Sequence, residues 1–171
     1  GVALMLSKVA QKALIGWEAH GPRLITASFQ TKNKKIHMNI IQCYAPTNDS
    51  QETAKDEFYM RLQSVMEKFK DRDINIIMGD FNAKIGNDNT GYAEVMGQHG
   101  LGDMNENGER FADWCALNNM VIGGSVFPHK KIHKATWSSP DHVTENQIDH
   151  FCINKKFRRS MEDVRVKRGA D

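Results

Sequence analysis

No run in this chain comes near the roughly 20 consecutive apolar residues that span a bilayer, so a membrane-crossing helix is not expected. The opening residues Gly1 to Leu6 are apolar, but the run is short, no basic residue precedes it and no cleavage pattern follows. A secretory signal is therefore not expected there. An initiator methionine is also missing, which suggests a piece excised from a longer product. Cysteine is scarce: Cys43, Cys115 and Cys152 lie far apart in apolar surroundings. An odd count without paired spacing argues against a disulfide framework and for a reducing, intracellular setting, nuclear or cytoplasmic. The net charge is only +2, too small to announce a nucleic-acid binder. Zinc-ligand spacing is missing too, because His129, His133 and His142 have no Cys or acidic partner at the required intervals. Repeats, low-complexity tracts and linkers are lacking, so residues 1–171 read as a single domain.

What remains is ordinary globular material: 171 residues, 40% hydrophobic and 26% charged, enough to bury a core. The charge is unevenly spread, with the region from Pro128 onward net basic and the rest net acidic. Such a stretch is a solvated face or a surface that meets phosphate. Residues 2–7, 24–29 and 36–44 read as strands, the last with Ile36, Met38 and Ile40 alternating with His37, Asn39 and Ile41, the period of a strand with one face buried. A helix follows, with Asp49 as N-cap, Glu52 completing a capping box, and Phe58, Leu62, Val65, Met66 and Phe69 on one stripe. Residues 74–78 read as a buried strand, 83–108 as a long glycine-rich surface excursion, and 109–117 as a second helix. Strands at 120–122, 135–137, 148–153 and 164–166, with a short basic helix at 155–161, complete the pattern. Strands in antiparallel runs with helices between them predict an α+β fold, two sheets face to face with helices outside.

The residues that could do chemistry cluster at strand ends. Gly79-Asp80-Phe81-Asn82 follows a buried strand directly. There a carboxylate could take a proton from water and a carboxamide could donate to a phosphate oxygen, which phosphodiester hydrolysis requires. Asp and Asn are also ordinary turn formers. Tyr44 ends another strand, where its hydroxyl could reach a phosphate or simply pack half-buried on the sheet. Asp149 shares a strand face with Phe151 and Ile153, so its carboxylate needs a partner. His150 points to the opposite face and reads as packing or surface, and Thr136-Trp137 as core packing. Lys130, Lys131 and Lys134 form a basic loop that could neutralise DNA phosphates, or be merely solvated.

Taken in order, Tyr44-Ala45-Pro46, Gly79-Asp80-Phe81-Asn82, Thr136-Trp137 and Ile148-Asp149-His150-Phe151 resemble the endonuclease/exonuclease/phosphatase superfamily. Gly1-Val2-Ala3-Leu4, Asn105-Glu106-Asn107-Gly108 and the stretch 165–171 are similar to retrotransposon endonucleases of the RTE type and the related craniofacial development protein 2-like proteins. The resemblance implies a deoxyribonuclease I-like sandwich and nicking of double-stranded DNA, within a protein that could also carry a reverse transcriptase. It assigns Tyr44 to the scissile phosphate, Asp80 to the attacking water, Asn82 to the charge on phosphorus, and Asp149 to orienting a later histidine. It implies magnesium, or manganese, as Lewis acid, held by an early glutamate with Asp80 as a partial ligand. That glutamate and the family's closing Ser-Asp-His have no match in this sequence. The expectation is therefore a domain truncated at both ends, inactive alone. A phosphoesterase acting on another ester, and a catalytically dead nucleic-acid- or protein-binding remnant, are the alternatives.

Overall fold

The computed structural model describes residues 1–167; the end of the 165–171 stretch lies outside the described residues. In chain order the elements are α1 (Lys8–Ala13), β1 (Leu14–Ala19), β2 (Leu24–Gln30), β3 (His37–Tyr44), α2 (Glu52–Met66) and β4 (Ile74–Asp80). After these come α3 (Glu106–Leu117), β5 (Met120–Ile122), β6 (Trp137–Ser138), β7 (Glu145–Asn146) and β8 (Asp149–Asn154). Short 3₁₀ turns occupy Gly123–Ser125, Lys131–His133 and Lys155–Ser160. A six-stranded sheet has the order β1-β2-β3-β4-β8-β5, and β6 with β7 makes a small second sheet. The α+β organisation expected from the sequence is present. Among the described residues the named strands pair antiparallel except β3 with β4, which the crossover through α2 makes parallel.

One face of the large sheet holds the core. Ile41 and Cys43 of β3, Ile77 of β4 and Cys152 of β8 pack with Phe58, Leu62 and Val65 of α2 and Phe111 and Cys115 of α3. The predicted stripe on α2 is the side it buries. On the opposite face Met38, Ile74, Ile76, Phe151 and Ile153 line a groove of about 550 Å³, with Met161, Val164 and Arg165 along its rim.

Several local expectations fail for physical reasons. Residues 2–7 join no sheet: the segment runs without a strand partner and Met5 is fully exposed. β1 takes the edge position instead. Residues 164–166 also form no strand, although the Val166 N–H donates to the His133 carbonyl at 2.9 Å and Val164 and Arg165 lie along the groove. The capping box at Asp49 does not form. The helix begins at Glu52, Gln51 makes no side-chain cap, and the Glu52 carboxylate accepts instead from the buried Lys55 at 2.9 Å. The 83–108 excursion is less superficial than its glycines suggest, since Ala83, Ile85, Val95 and Met96 are buried in the core. Its last three residues begin α3 earlier than expected, capped by the Asn105 side chain.

Candidate active site

β3 and β4 run side by side and end together, and β8 starts where they stop. The register pairs Tyr44 with Asp80 and Asp80 with Asp149. Residues paired this way share a face, and neighbouring strands lie about 4.8 Å apart. A tyrosine and two aspartates thus stand in one row across three strands, at the open end of the apolar face. The residue before Asp80 explains part of this. Gly79 has φ +145°, and a Cβ there would sit 2.0 Å from the Cys43 carbonyl oxygen, so only glycine lets the strands approach so closely.

Arg23 extends the row on the Tyr44 side. Its carbonyl accepts the Tyr44 N–H at 3.0 Å, its guanidinium donates to the Tyr44 carbonyl at 3.1 Å, and it lies 5.0 Å from the centre of the tyrosine ring. The sequence reading missed this residue. Its signal was weak, a single arginine in the turn before β2.

Asn82 does not continue the strand. Its φ is +47°, a left-handed conformation that asparagine tolerates better than most residues. Its N–H donates to Asp80 Oδ1 at 2.8 Å, and its Nδ2 donates to the Ala45 carbonyl at 2.9 Å. One amide hydrogen is therefore committed to the fold and the other is left to offer.

Both aspartates resist ionisation. Burial raises the Asp80 carboxyl above its ordinary value, partly opposed by the Asn82 N–H. Asp149 is raised by desolvation, held down by the Thr136 hydroxyl, and raised again by the neighbouring Asp80 charge. The Thr136 Oγ1 also accepts the N–H groups of Ile148 and Asp149 at 3.0 and 3.1 Å. Thr136 thus positions Asp149 and is not core packing; its neighbour Trp137 is 43% exposed.

Behind the row, His150 is buried and packs against Phe111 at 5.2 Å, with its Nε2 2.7 Å from the Ala83 carbonyl. Burial lowers its pKa to about 4, so it is a neutral donor in the core. The basic loop divides. Lys134 is buried with its ammonium donating to the Gly124 and Phe127 carbonyls at 2.6 and 2.5 Å, so it cannot meet a phosphate. Lys131 pairs with Glu145 at 3.3 Å but stays largely exposed, and Lys130 is exposed.

Two adjacent carboxylates, each raised by burial above its ordinary value, are a fit for part of a divalent-cation site, because a cation offsets the cost of their charge. No group of three or more metal-ligating side chains occurs among the described residues. No helix among them is long and apolar enough to cross a membrane.

No family model matches the chain. Craniofacial development protein 2 of Tragulus javanicus is 35% identical over all 171 residues, which cover 29% of its length. The Bos taurus protein of that name is 34% identical over the same residues, 28% of its length. The chain thus spans under a third of these relatives. Among solved structures it is similar to the 3′ phosphatase NExo from Neisseria, bound to a product DNA hairpin, with a TM-score of 0.62 at 14% identity, covering 90% of this chain and 63% of that one. The endonuclease domain of TRAS1, a telomere-specific non-LTR retrotransposon, superposes with a TM-score of 0.52 at 11% identity over 79% of this chain and 52% of that one. In fold this chain is similar to solved proteins of the endonuclease/exonuclease/phosphatase kind, and in sequence it is similar to craniofacial development protein 2 over all 171 of its own residues.

Proposed function

We propose that these residues form the central part of a DNA-nicking phosphodiesterase site of the retrotransposon-endonuclease kind. The row of Tyr44, Asp80 and Asp149 carries this reading: it sets a hydroxyl beside two carboxylates at one sheet end. In this reading Asp80 orients and deprotonates the attacking water. The free Asn82 amide hydrogen and the Tyr44 hydroxyl face the negative charge that grows on the phosphoryl oxygens. Asp149, aligned by Thr136, orients its neighbours, and Arg23 with Lys130 and Lys131 pairs with flanking phosphates. Asp80, with Asp149 beside it, would hold one side of a magnesium or manganese ion, which when bound supplies Lewis-acid stabilisation of the phosphate. The TRAS1 likeness supports an endonuclease and the NExo likeness supports DNA as substrate.

Two carboxylates and an amide are few fixed ligands for magnesium, which favours near-octahedral coordination. The 171 residues by themselves are therefore expected to nick poorly. The test is a supercoiled-plasmid assay in magnesium, comparing these residues alone, the natural polypeptide that carries them, and that polypeptide with Asp80→Ala. Nicking by the second, abolished in the third, is the expected result. Robust Asp80-dependent nicking by the 171 residues alone would show a complete site. Release of phosphate from a 3′-phosphorylated oligonucleotide without nicking would favour a phosphatase, the activity named for NExo.

A further inference from the structure

The tetrapeptide Asn105-Glu106-Asn107-Gly108 is accounted for residue by residue at the start of α3. Asn105 caps the helix, its Oδ1 accepting the Gly108 N–H at 2.8 Å and the Lys84 N–H at 3.0 Å, while its own N–H donates to the Lys84 carbonyl at 3.0 Å. A Cβ on Gly108 would lie 1.8 Å from that same carbonyl oxygen, so glycine alone allows the helix end to press against the 82–84 segment. Glu106 accepts from Lys55 of α2 at 3.1 Å. Asn107 is 3% exposed, and its contacts differ in kind. Its Nδ2 donates to the Asn82 carbonyl at 3.0 Å and to the Pro46 carbonyl at 3.1 Å, while its backbone N–H is held by Asn48 Oδ1 at 3.1 Å.

These two carbonyls belong to the two segments that carry the site. Pro46 follows Tyr44 by two residues and Asn82 follows Asp80 by two. Among the described residues, no other side chain of the helix layer bonds to both segments. Both hydrogens of the Asn107 amide are used, one on each segment, so the side chain works as a clamp of fixed span. We infer that Asn107 is a positioning residue for the hydrolytic site, fixing the left-handed turn at Asn82 relative to Tyr44 and thereby aiming the free Asn82 amide hydrogen. Misplacing a catalytic donor by about 1 Å can cost on the order of 10² in rate.

The inference rests on reading the row as hydrolytic, and the test separates the two. Asn107→Asp is nearly isosteric but removes both donors and turns a carboxylate toward two carbonyl oxygens. In the natural polypeptide that carries the chain, plasmid nicking by Asn107→Asp should show kcat lowered about 10- to 100-fold, with KM for DNA within about twofold of wild type. Lys55→Met, which loosens α3 from α2 through Glu106, should lower Tm yet leave kcat within about threefold. Amide hydrogen exchange, which needs no activity, should show protection lost at Asn82 and Ala83 in Asn107→Asp and retained in Lys55→Met. If Asn107→Asp does not fold, Asn48→Ala loosens the same clamp from outside and should give a smaller change in the same direction. Unchanged kcat in a folded Asn107→Asp, an equal kcat loss in Lys55→Met, or unaltered exchange at Asn82 would overturn the inference. A wild type that does not nick, combined with lost protection at Asn82, would retain the clamp and reject the hydrolytic reading instead.

Discussion

At the scale of single residues, the proposed site is expected to set stability against function. Asp80 and Asp149 face each other across β4 and β8, and both carboxyls are raised above their ordinary value of 3.8. A carboxylic acid with a raised folded-state pKa holds its proton longer in the folded chain than in the unfolded one. The folded state therefore loses stability as the pH rises from the ordinary value through the raised one. Asp149→Asn removes one charge of the pair and should raise Tm at pH 7, with the gap to wild type closing as the pH falls below 4. It should also abolish nicking, the usual exchange between stability and activity. A lower Tm at pH 7 would mean that the ionised carboxylate's bond with Thr136 outweighs burial and the Asp80 charge together. Asp80, Asn82, Tyr44 and Asp149 were visible in the sequence because their short motifs lie at strand ends. Arg23 was not, and Thr136, though part of a motif, read as core packing, because the contacts that matter are made across the fold.

Elements were legible where burial is periodic. α2 buries Phe58, Leu62 and Val65 at helical spacing, so its face could be read directly. β1 hides because it alternates nothing: five of its six residues are exposed, and only pairing with β2 makes it a strand. The glycine-rich segment misled in the other direction, since Ile85 and Met96 sit in the core among turns that looked solvated. Glycines there and in β4 mark close approaches. Gly79 combines such an approach with a positive φ, lying between Cys43 and His150 in the register. Gly79→Ala should cost about 3 kcal/mol or more, because the new Cβ meets backbone, which cannot rotate away as a flexible side chain could. Chemical denaturation measures this directly, and a loss below about 1 kcal/mol would mean that β3 and β4 can separate more easily than their register implies.

At the scale of the whole molecule, the small net charge limits how DNA could be held. In the proposed function Arg23, Lys130 and Lys131 are the cations that meet phosphate, while Lys134 is taken up inside. With about 0.9 counterions released per phosphate contact, binding should fall with salt at a log–log slope of about −3. Lys131→Ala should reduce that slope by about one, whereas Lys134→Ala should leave it alone and lower Tm. A slope that responds to Lys134 would mean its ammonium leaves the Gly124 and Phe127 carbonyls when DNA is present. The apolar face beyond the site, from Met38 across to Phe151, was implied by the alternation of β3 but not by any single motif.

The order of strands in the sheet also sets when the site comes into being. β3, α2 and β4 are consecutive, so Tyr44 and Asp80 can meet early through a local crossover. Asp149 arrives only with β8, which slots between β4 and β5 from far along the chain. Pairings between sequence-distant strands raise contact order and are made late, after their loop entropy has been overcome. During synthesis the Tyr44–Asp80 half would form while the acidic partner is still in the ribosome, with β4 lacking a neighbour on one side. The two carboxylates would come together as one of the last events of folding, and a chain halted before residue 149 would hold only Tyr44 and Asp80 of the proposed row and an open sheet edge.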